Sequence, residues 1–327
     1  MKAIVCSEFG PIEKLALVDV PAPPMRPGCV RLGMTVASLN PPDFLMAQGL
    51  YQVKPPLPFV AGVEGAGIIL ESEADSGFTP GERIMTYAGQ GCFAEQAVVP
   101  AERVTRIPPG MTDEAASGFV LAFGTVYHSL VDCGALARGQ TVVVLGAAGG
   151  LGLCAIQVAK ALGARVIAVA SSPEKRAKCR DKGADEVIES DPAILRDRIR
   201  SLTADRGADL VLDIVGGDFT EPALRAIAPH GRLVIAGYAS GQIPRIKANL
   251  ILLKQASVIG ASYRMFSENQ PEAAAANLKI LCGLWQQGAL HPEVTSRYRF
   301  ADVVDALKLL AERRVIGKAA LLIQSQT

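Results

Sequence analysis

The chain has 327 residues, enough for two domains with sizeable cores, and half of them are hydrophobic. Its 33 basic and 32 acidic residues nearly cancel, so charge gives no reason to expect binding to nucleic acid or to an anionic membrane. The sequence opens on a strand-like segment, for which we expect no secretory leader, and its seven cysteines contain no C-x-x-C pair. We therefore expect a cytoplasmic protein with reduced thiols.

The first part of the chain, to about residue 122, contains short apolar segments separated by proline and glycine clusters. They predict strands at 2–7, 29–38, 65–71, 82–86 and 93–99. This spacing is typical of a small, β-rich, barrel-like domain.

From residue 125 to about 262, strand and helix patterns alternate. They predict strands at 141–145, 165–170, 208–215, 232–236 and 257–261, with a helix at 151–162 after the first of them. This order indicates an α/β fold with a doubly wound parallel sheet.

The last part predicts a helix at 272–287, a strand at 297–300, a helix at 301–313 and a strand at 318–323. We expect it to return to the first domain. The expected division is a β-rich catalytic domain of residues 1–122 and 265–327, and a dinucleotide-binding domain of residues 123–264. The active site is expected in the cleft between them.

A glycine-rich turn joins the strand at 141–145 to the following helix. Ala147, Gly149 and Gly152 occupy the three glycine positions of the G-x-G-x-x-G fingerprint, which allows a tight turn and close helix–strand packing. A pyrophosphate there would meet the free N–H groups of the helix N-terminus, so the turn predicts a dinucleotide site.

The end of the second parallel strand indicates which dinucleotide binds. An NAD site usually has an acidic residue there, but Ser171 and Ser172 can donate to a 2′-phosphate that Lys175 and Arg176 neutralise. This favours NADPH. The same residues also fit a plain helix start with Ser172 as N-cap, and Glu174 argues against the phosphate. Both interpretations can hold together.

Several motifs in fixed order resemble the zinc-independent quinone oxidoreductase family of the medium-chain dehydrogenase/reductase superfamily. They are S-L-N-P-P-D at 38–43, Q-G-L-Y at 48–51, P-F-V-A-G-V-E-G-A-G at 58–67, the glycine turn, G-R-L-V-I-A-G at 231–237 and the closing Gly317-Lys318. The resemblance covers nearly the whole chain. It implies a Rossmann domain, a GroES-like catalytic domain and a homodimer joined through the edge strand at 257–261.

Metal ligands are missing at the positions where the superfamily's zinc enzymes carry them. A cysteine ligand is replaced by Asn40 and a histidine ligand by Val63, and neither side chain can substitute for a thiolate or an imidazole on Zn²⁺. The three histidines, His128, His230 and His291, show no ligand spacing and are expected at the surface or at helix ends. We predict no metal.

Without zinc, the easier hydride acceptor is a quinone or a C=C bond conjugated to a carbonyl, whose reduction leaves an enolate that needs a proton. The resemblance implies that Tyr51 donates this proton or binds the oxyanion. It also implies that Asn40 binds the nicotinamide ribose or the substrate, with Asp43 orienting it. Thr125 is expected beside the carboxamide. Alternatives are a packing tyrosine, a turn at Asn40 and a helix cap at Thr125.

The resemblance also implies a set of cofactor contacts, which are Asn40, Thr125, Ala148, Gly149, Gly150, Leu151, Gly152, Ser171, Ser172, Lys175, Gly216, Gly237, Tyr238, Ala239 and Ser262. One departure is Ser190, where many NADPH-using relatives carry a tyrosine.

Three functions remain open on these residues. The first is a zinc-free, NADPH-dependent reductase of quinones or α,β-unsaturated carbonyls. The second is an enoyl- or acrylyl-thioester reductase, for which Arg245, Lys247 and Arg264 could stand at the mouth of a channel for the pantetheine arm. The third is a non-catalytic NADPH-binding protein.

Overall fold

The structure is a computed structural model that describes residues 1–324. Its contacts form two compact units, one of residues 1–121 with the chain from 292 onward, and one of residues 122–291. The first boundary lies one residue from the predicted one, whereas the second follows residue 291 instead of 264. The segment between these two positions packs on the parallel-sheet unit, where for example the backbone N–H of His291 donates to Gln157 Oε1 at 2.6 Å.

Helices and strands follow one another along the whole described chain. Up to residue 127 they are β1 (Lys2–Cys6), β2 (Ala16–Asp19), β3 (Cys29–Leu39), α1 (Pro41–Ala47), β4 (Phe59–Val60), β5 (Glu64–Ser72), β6 (Arg83–Tyr87), β7 (Gln96–Pro100), β8 (Val104–Arg106), α2 (Asp113–Ser117) and α3 (Phe119–Tyr127). A π-helix follows at His128–Cys133. The second unit continues with β9 (Thr141–Leu145), α4 (Gly150–Ala161), β10 (Arg165–Ala170), α5 (Pro173–Asp181), β11 (Glu186–Glu189), α6 (Pro192–Leu202), β12 (Ala208–Asp213), α7 (Thr220–Arg225), β13 (Ile227–Ile235), α8 (Ala248–Lys254), β14 (Ser257–Gly260), α9 (Tyr263–Asn269) and α10 (Pro271–Gln286). The chain then forms β15 (Val294–Arg299), α11 (Val303–Ala311) and β16 (Lys318–Leu322). Short 3₁₀ turns occur at Ile12–Lys14, Ala74–Ser76, Ala101–Arg103, Gly217–Phe219 and Phe300–Asp302.

The second unit contains the predicted doubly wound sheet. Its six strands are parallel in the order β11-β10-β9-β12-β13-β14. Every residue of β9 is buried, as expected for a central strand covered by helices on both faces. Leu145 pairs with Val169 on one side and with Asp213 on the other, so β9, β10 and β12 end level. The strand order reverses between β9 and β12, which is where such folds bind ligands.

The first unit is predominantly antiparallel, as its strand spacing predicts. β3 is central and pairs with β5, β7 and the returning strand β16. The registers place Ser38 opposite Glu64 on β5 and opposite Ala320 on β16. The chain's return therefore brings the last strand beside the end of β3, where Asn40 follows.

Most predicted strands agree with the structure to within two residues, and those at 141–145 and 165–170 agree at both ends. The strand predicted at 93–99 begins at Gln96, because Ala94 instead makes an isolated bridge to Ala3 of β1. The helix predicted at 301–313 is shorter and begins at Val303 after a 3₁₀ turn. No helix among residues 1–324 is long and apolar enough to cross a membrane.

Candidate functional site

A buried polar network lies where β3 ends beside β16. Lys318 Nζ donates to Asn40 Oδ1 at 2.7 Å and to Glu64 Oε1 at 2.9 Å. The Asn40 amide nitrogen donates to the same carboxylate oxygen at 2.9 Å and to the Ser38 carbonyl at 3.1 Å. Only this orientation of the amide satisfies both the ammonium and the carboxylate.

The charges in this network are nearly removed from solvent. The side chain of Glu64 is fully buried, and that of Lys318 is 11% exposed. The second carboxylate oxygen of Glu64 accepts from the Leu121 backbone N–H at 3.0 Å, so both oxygens are satisfied. A carboxylate without these partners would be costly here, so the network fixes the Asn40 side chain in one position.

Asp43, in the first turn of α1, binds the backbone on both sides of this network. Its two carboxylate oxygens accept from the backbone N–H groups of Asn40 at 2.7 Å and of Val63 at 2.9 Å. Burial raises the pKa of Asp43 to about 8, against these two hydrogen bonds, which lower it. Asp43 therefore holds the backbone of Asn40, and its predicted orienting role would act through that contact.

Tyr51 lies beyond the other end of α1, in the turn where its N–H donates to the Leu45 carbonyl at 3.1 Å. Its ring packs partly against the apolar core of the first unit. Asn40 and Tyr51 thus flank a helix of seven residues, about 10 Å in length.

The glycine turn of the second unit has the geometry that its sequence predicts. Gly146 has a φ of +70°, which favours glycine. A Cβ atom at Gly152 would lie 2.4 Å from the Gly146 carbonyl oxygen, so a larger residue would push α4 away from β9. At Gly149 an added Cβ would meet only that carbonyl oxygen, at 3.5 Å, which leaves the turn open.

The N-terminus of α4 lacks a side-chain cap because its N-cap is Gly149. The first N–H groups of the helix, at Gly150, Leu151 and Gly152, have no partner within the helix, and Ala148 precedes them in the turn. Uncapped N–H groups at an open turn fit an anionic pyrophosphate.

The end of β10 supports both interpretations of its sequence. Ser172 is the N-cap of α5 and accepts from the Lys175 backbone N–H at 3.2 Å, with proline in the first turn. Ser171 is exposed and its hydroxyl is not part of that cap. The Arg176 guanidinium donates to the carbonyls of Ala170 at 3.3 Å and Ser171 at 3.1 Å, so it is held at the strand end. Serine hydroxyls and basic side chains therefore meet at this edge.

The loop after β12 packs on the loop after β13. Asp213 is fully buried, and its carboxylate accepts from the N–H groups of Val215 and Gly216 at 2.9 and 2.8 Å and from the Thr220 hydroxyl at 2.6 Å. Gly216 has a φ of +70°, and a Cβ there would lie 2.9 Å from Tyr238. The structure thus brings together three of the predicted contacts, Gly216, Tyr238 and the neighbouring Gly237, and Ala239 follows with its N–H donating to Ile214.

Thr125 and Ser262 adjoin two residues, Gly124 and Tyr263, at which α3 and α9 pack closely. Thr125 is buried on α3, and at the adjacent Gly124 a Cβ would lie 2.5 Å from the Tyr263 ring. Ser262 is the N-cap of α9 and accepts from the Met265 N–H at 3.4 Å. The helix-cap alternative suggested for Thr125 is wrong, because Thr125 lies inside α3.

The whole chain is similar to known dehydrogenases. The family profile described as "Zinc-binding dehydrogenase" matches residues 150–279, and that described as "Alcohol dehydrogenase GroES-like domain" matches residues 26–109. The rat protein "Quinone oxidoreductase-like protein 2" is 31% identical over 322 residues, covering 98% of this chain and 91% of that protein. The chain belongs to the quinone oxidoreductase-like family of the medium-chain dehydrogenase/reductase superfamily.

Solved structures of this family include complexes with a nicotinamide cofactor. A mycobacterial protein complexed with NADPH has a TM-score of 0.93 and 30% identity, covering 99% of this chain and 100% of that one. The Escherichia coli quinone oxidoreductase complexed with NADPH has a TM-score of 0.92 and 25% identity, covering 99% of this chain and 100% of that one. They confirm the predicted combination of a Rossmann domain and a GroES-like domain.

The positions that hold zinc in other members of the superfamily do not fit the metal in this one. Asn40 Oδ1 is bonded to the Lys318 ammonium, whose charge opposes a cation at the same place. Val63 is buried and apolar, and only its backbone N–H takes part in the site. Among residues 1–324, no group of three or more histidine, cysteine, aspartate or glutamate side chains could hold a metal ion.

Glu64 and Lys318 have no role among the sequence-based predictions, although both stand in the motifs that carry the resemblance. They are 254 positions apart, so their pairing depends on the strand β16 returning to β3. A glutamate within an otherwise apolar segment at 58–67 was the available signal, because a buried carboxylate requires a cationic or N–H partner.

His230 and His291 are exposed, as expected, whereas His128 directly follows the end of α3 and is not at the surface. Its side chain is only 12% exposed and lies within the π-helix. The expectation of reduced thiols agrees with the structure, in which all seven cysteines are free and five are buried.

Proposed function

We propose that the protein is a zinc-free, NADPH-dependent oxidoreductase that transfers hydride to a quinone or to an α,β-unsaturated carbonyl. The observation that carries this proposal is the carboxyl edge of the parallel sheet, where an uncapped helix N-terminus stands beside serine hydroxyls and basic side chains. An anionic dinucleotide with an additional 2′-phosphate matches this arrangement.

NADPH would be held by the residues at this edge. Gly150, Leu151 and Gly152 would offer backbone N–H groups to the pyrophosphate, whereas the Gly149 N–H already donates to the Gly146 carbonyl at 3.1 Å. Ser171 and Lys175 would bind the 2′-phosphate, and Ser172 would combine this role with its capping bond. When bound, the cofactor supplies the hydride.

The acceptor must be reactive without a metal. A carbonyl conjugated to a C=C bond, or a quinone, accepts hydride at carbon and places negative charge on oxygen. Both amide hydrogens of Asn40 are used by Ser38 and Glu64, so its side chain, held at the end of β3, can only accept a further bond at Oδ1, for example from a hydroxyl of the nicotinamide ribose. Tyr51 would donate the proton or bind the oxyanion.

An enoyl-thioester reductase is the second candidate, and the three basic residues named for it bear on that choice. Arg264 Nε pairs with Glu268 at 2.9 Å, and Lys247 Nζ pairs with Glu221 at 3.1 Å. Arg245 lines a surface groove of about 640 Å³ within the second unit, together with Arg196 and Arg225. Two of the three are thus already paired, which favours the smaller acceptors.

Steady-state assays test the proposal directly. NADPH and NADH oxidation would be followed by absorbance with a benzoquinone, a naphthoquinone, an unsaturated aldehyde and crotonyl-CoA, all in EDTA. We expect turnover that prefers NADPH, and a Tyr51→Phe variant with a lower kcat. Preference for crotonyl-CoA would support the second candidate. Tight NADPH binding without turnover on any acceptor would support a non-catalytic binding protein.

We also propose a homodimer, in the cytoplasm. β14 is the edge strand of the parallel sheet, and Leu252 and Leu253 on the adjoining α8 are 77% and 75% exposed. Pairing of two such edges would cover these side chains. Light scattering is expected to give twice the mass of the chain, and aspartate at both leucine positions is expected to give the monomer. The free thiols support a reducing compartment.

A further inference from the structure

A cluster of a thiol, an imidazole and a carboxylate lies in the π-helix at His128–Cys133. His128 Nε2 is 3.4 Å from Cys133 Sγ, and His128 Nδ1 is 2.9 Å from Asp132 Oδ2. None of these side chains has a role in the proposed hydride transfer. The three residues are not arranged to hold a metal ion.

The π-helix explains why these three side chains meet. Its hydrogen bonds join residue i to residue i+5, so the turn is wider than in an α-helix and residues i+4 and i+5 both lie next to residue i. Asp132 and Cys133 therefore stand on either side of His128. The Ser129 hydroxyl donates to the Thr125 carbonyl at 2.7 Å, which competes with the α-helical bond at this point.

Two further helices fix the imidazole. The Phe266 ring of α9 stacks on it at 4.0 Å between centroids, with 12° between the planes. Asn277 of α10 donates to Asp132 Oδ2 at 2.7 Å and so holds the carboxylate in place. Since Asp132 accepts from Nδ1–H, the neutral ring presents the lone pair of Nε2 to the thiol. The cluster is preorganised from three elements.

We propose that Cys133 is a site of covalent modification by soft carbon electrophiles of the conjugated-carbonyl class, with His128 as its general base. Burial, together with the charge of Asp132, raises the pKa of the Cys133 thiol, so the thiol is neutral near pH 7 and requires a base to react. Cys133 is only partly buried, so a small electrophile can reach its sulfur, and the Phe266 ring stacked on the imidazole adds an apolar group to the cluster, which suits a neutral electrophile.

The reaction balances without an oxidant. His128 Nε2 takes the thiol proton while sulfur forms a bond to the β-carbon of the electrophile. The electron pair of the C=C bond moves to the carbonyl oxygen as an enolate, and the imidazolium returns the proton to the α-carbon. The product is a thioether, and the imidazole is neutral again. This activity is independent of hydride transfer and of NADPH.

Cys282 provides a matched internal control. It is also a half-buried free thiol, and burial raises its pKa to about 11, but no imidazole is bonded to it in the described chain. Limited treatment of the whole protein with N-ethylmaleimide at neutral pH, followed by peptide mass mapping, compares the two rates within one molecule. We expect Cys133 to react at least about tenfold faster, since general-base catalysis contributes about 10²-fold or more.

Substitution of the base completes the test. His128→Gln is expected to slow labelling of Cys133 to the rate of Cys282, and Cys133→Ser is expected to remove the fast adduct. A variant that unfolds would raise labelling at Cys282 as well, which separates loss of structure from loss of the base. Equal rates at Cys133 and Cys282 in the native protein, or fast labelling of Cys133 that persists in His128→Gln, would overturn the proposal.

Discussion

Replacing Lys318 with methionine removes the cation from a buried pair while keeping a side chain of similar length. The ammonium lies 2.9 Å from Glu64 Oε1, and the two side chains are 11% and 0% exposed. At an effective dielectric constant of about 20, this pair attracts by about 6 kcal/mol. Burying the ammonium also costs desolvation free energy, and this cost disappears in the variant. The expected net loss of unfolding free energy is therefore smaller than the attraction, about 3–5 kcal/mol. Thermal unfolding followed by circular dichroism should show a melting temperature lower by on the order of 10 °C.

The surface pair of Lys160 and Asp185 is the matched control for this variant. Its atoms are equally close, at 2.8 Å, but the two side chains are 37% and 35% exposed. Lys160→Met is expected to cost about 1 kcal/mol or less. The double variant Lys318→Met with Glu64→Gln removes both charges and should recover a large part of the loss. If Lys318→Met costs no more than Lys160→Met, the account of the buried network is wrong.

The remaining predictions concern the cofactor turn, the phosphate site and Asp43. Gly152→Ala should lower NADPH affinity, measured by calorimetry, at least about tenfold and reduce the free energy of unfolding by about 1–3 kcal/mol, because its Cβ would lie 2.4 Å from a carbonyl oxygen. At Gly283 an added Cβ meets open space, so Gly283→Ala should leave the affinity unchanged and should be neutral or stabilising in melting. Lys175→Ala should raise the KM for NADPH about tenfold but leave that for NADH nearly unchanged, and Lys178→Ala, one turn further along α5, should change neither. The pKa of Asp43 is about 8 in the folded protein against an ordinary 3.8, so between these pH values its carboxyl group is protonated when the protein is folded and ionised when it is unfolded. The free energy of unfolding should therefore fall by about 1.4 kcal/mol per pH unit as the pH rises from about 4 to about 8. Asp43→Asn should lack this slope in melting curves, and equal slopes would show that Asp43 is ionised in the folded state.

The parallel-sheet unit could be predicted from sequence because its signals are local. β9, the glycine turn and α4 follow one another within 21 residues, and each has the residue types that its geometry requires. The predicted cofactor contacts of this unit lie along one edge of the sheet, because parallel strands with helical connections all end at the same edge.

The network of the first unit could be predicted only in part. Asn40 and Asp43 stand in a recognisable N-P-P-D segment, but no helix was predicted at Pro41–Ala47, because seven residues are too few for a helical periodicity to stand out. The partner Lys318 comes from the far end of the chain, and pairing over such a separation depends on the tertiary register of β16 with β3. The contact-based unit extends to residue 291, beyond the predicted boundary at 264, because α9 and α10 follow the last parallel strand and carry no local sign of the unit on which they pack.

The π-helix had no signal in the sequence. His128, Asp132 and Cys133 are spaced at i, i+4 and i+5, and on an α-helix the last of these would not face the first. Only the wider turn brings the thiol to the imidazole, so spacing alone gave no reason to consider the three residues together.

In the proposed reaction, hydride passes from NADPH to an electron-poor carbon without a metal. It is tested most directly by NADPH with deuterium at both C4 positions, supplied to the enzyme after exhaustive treatment with EDTA, with the reduced unsaturated carbonyl analysed by mass spectrometry and NMR. We expect deuterium on the β-carbon of the product, at a rate that added zinc does not change. Absence of deuterium from the product, or activity that EDTA abolishes and zinc restores, would contradict it.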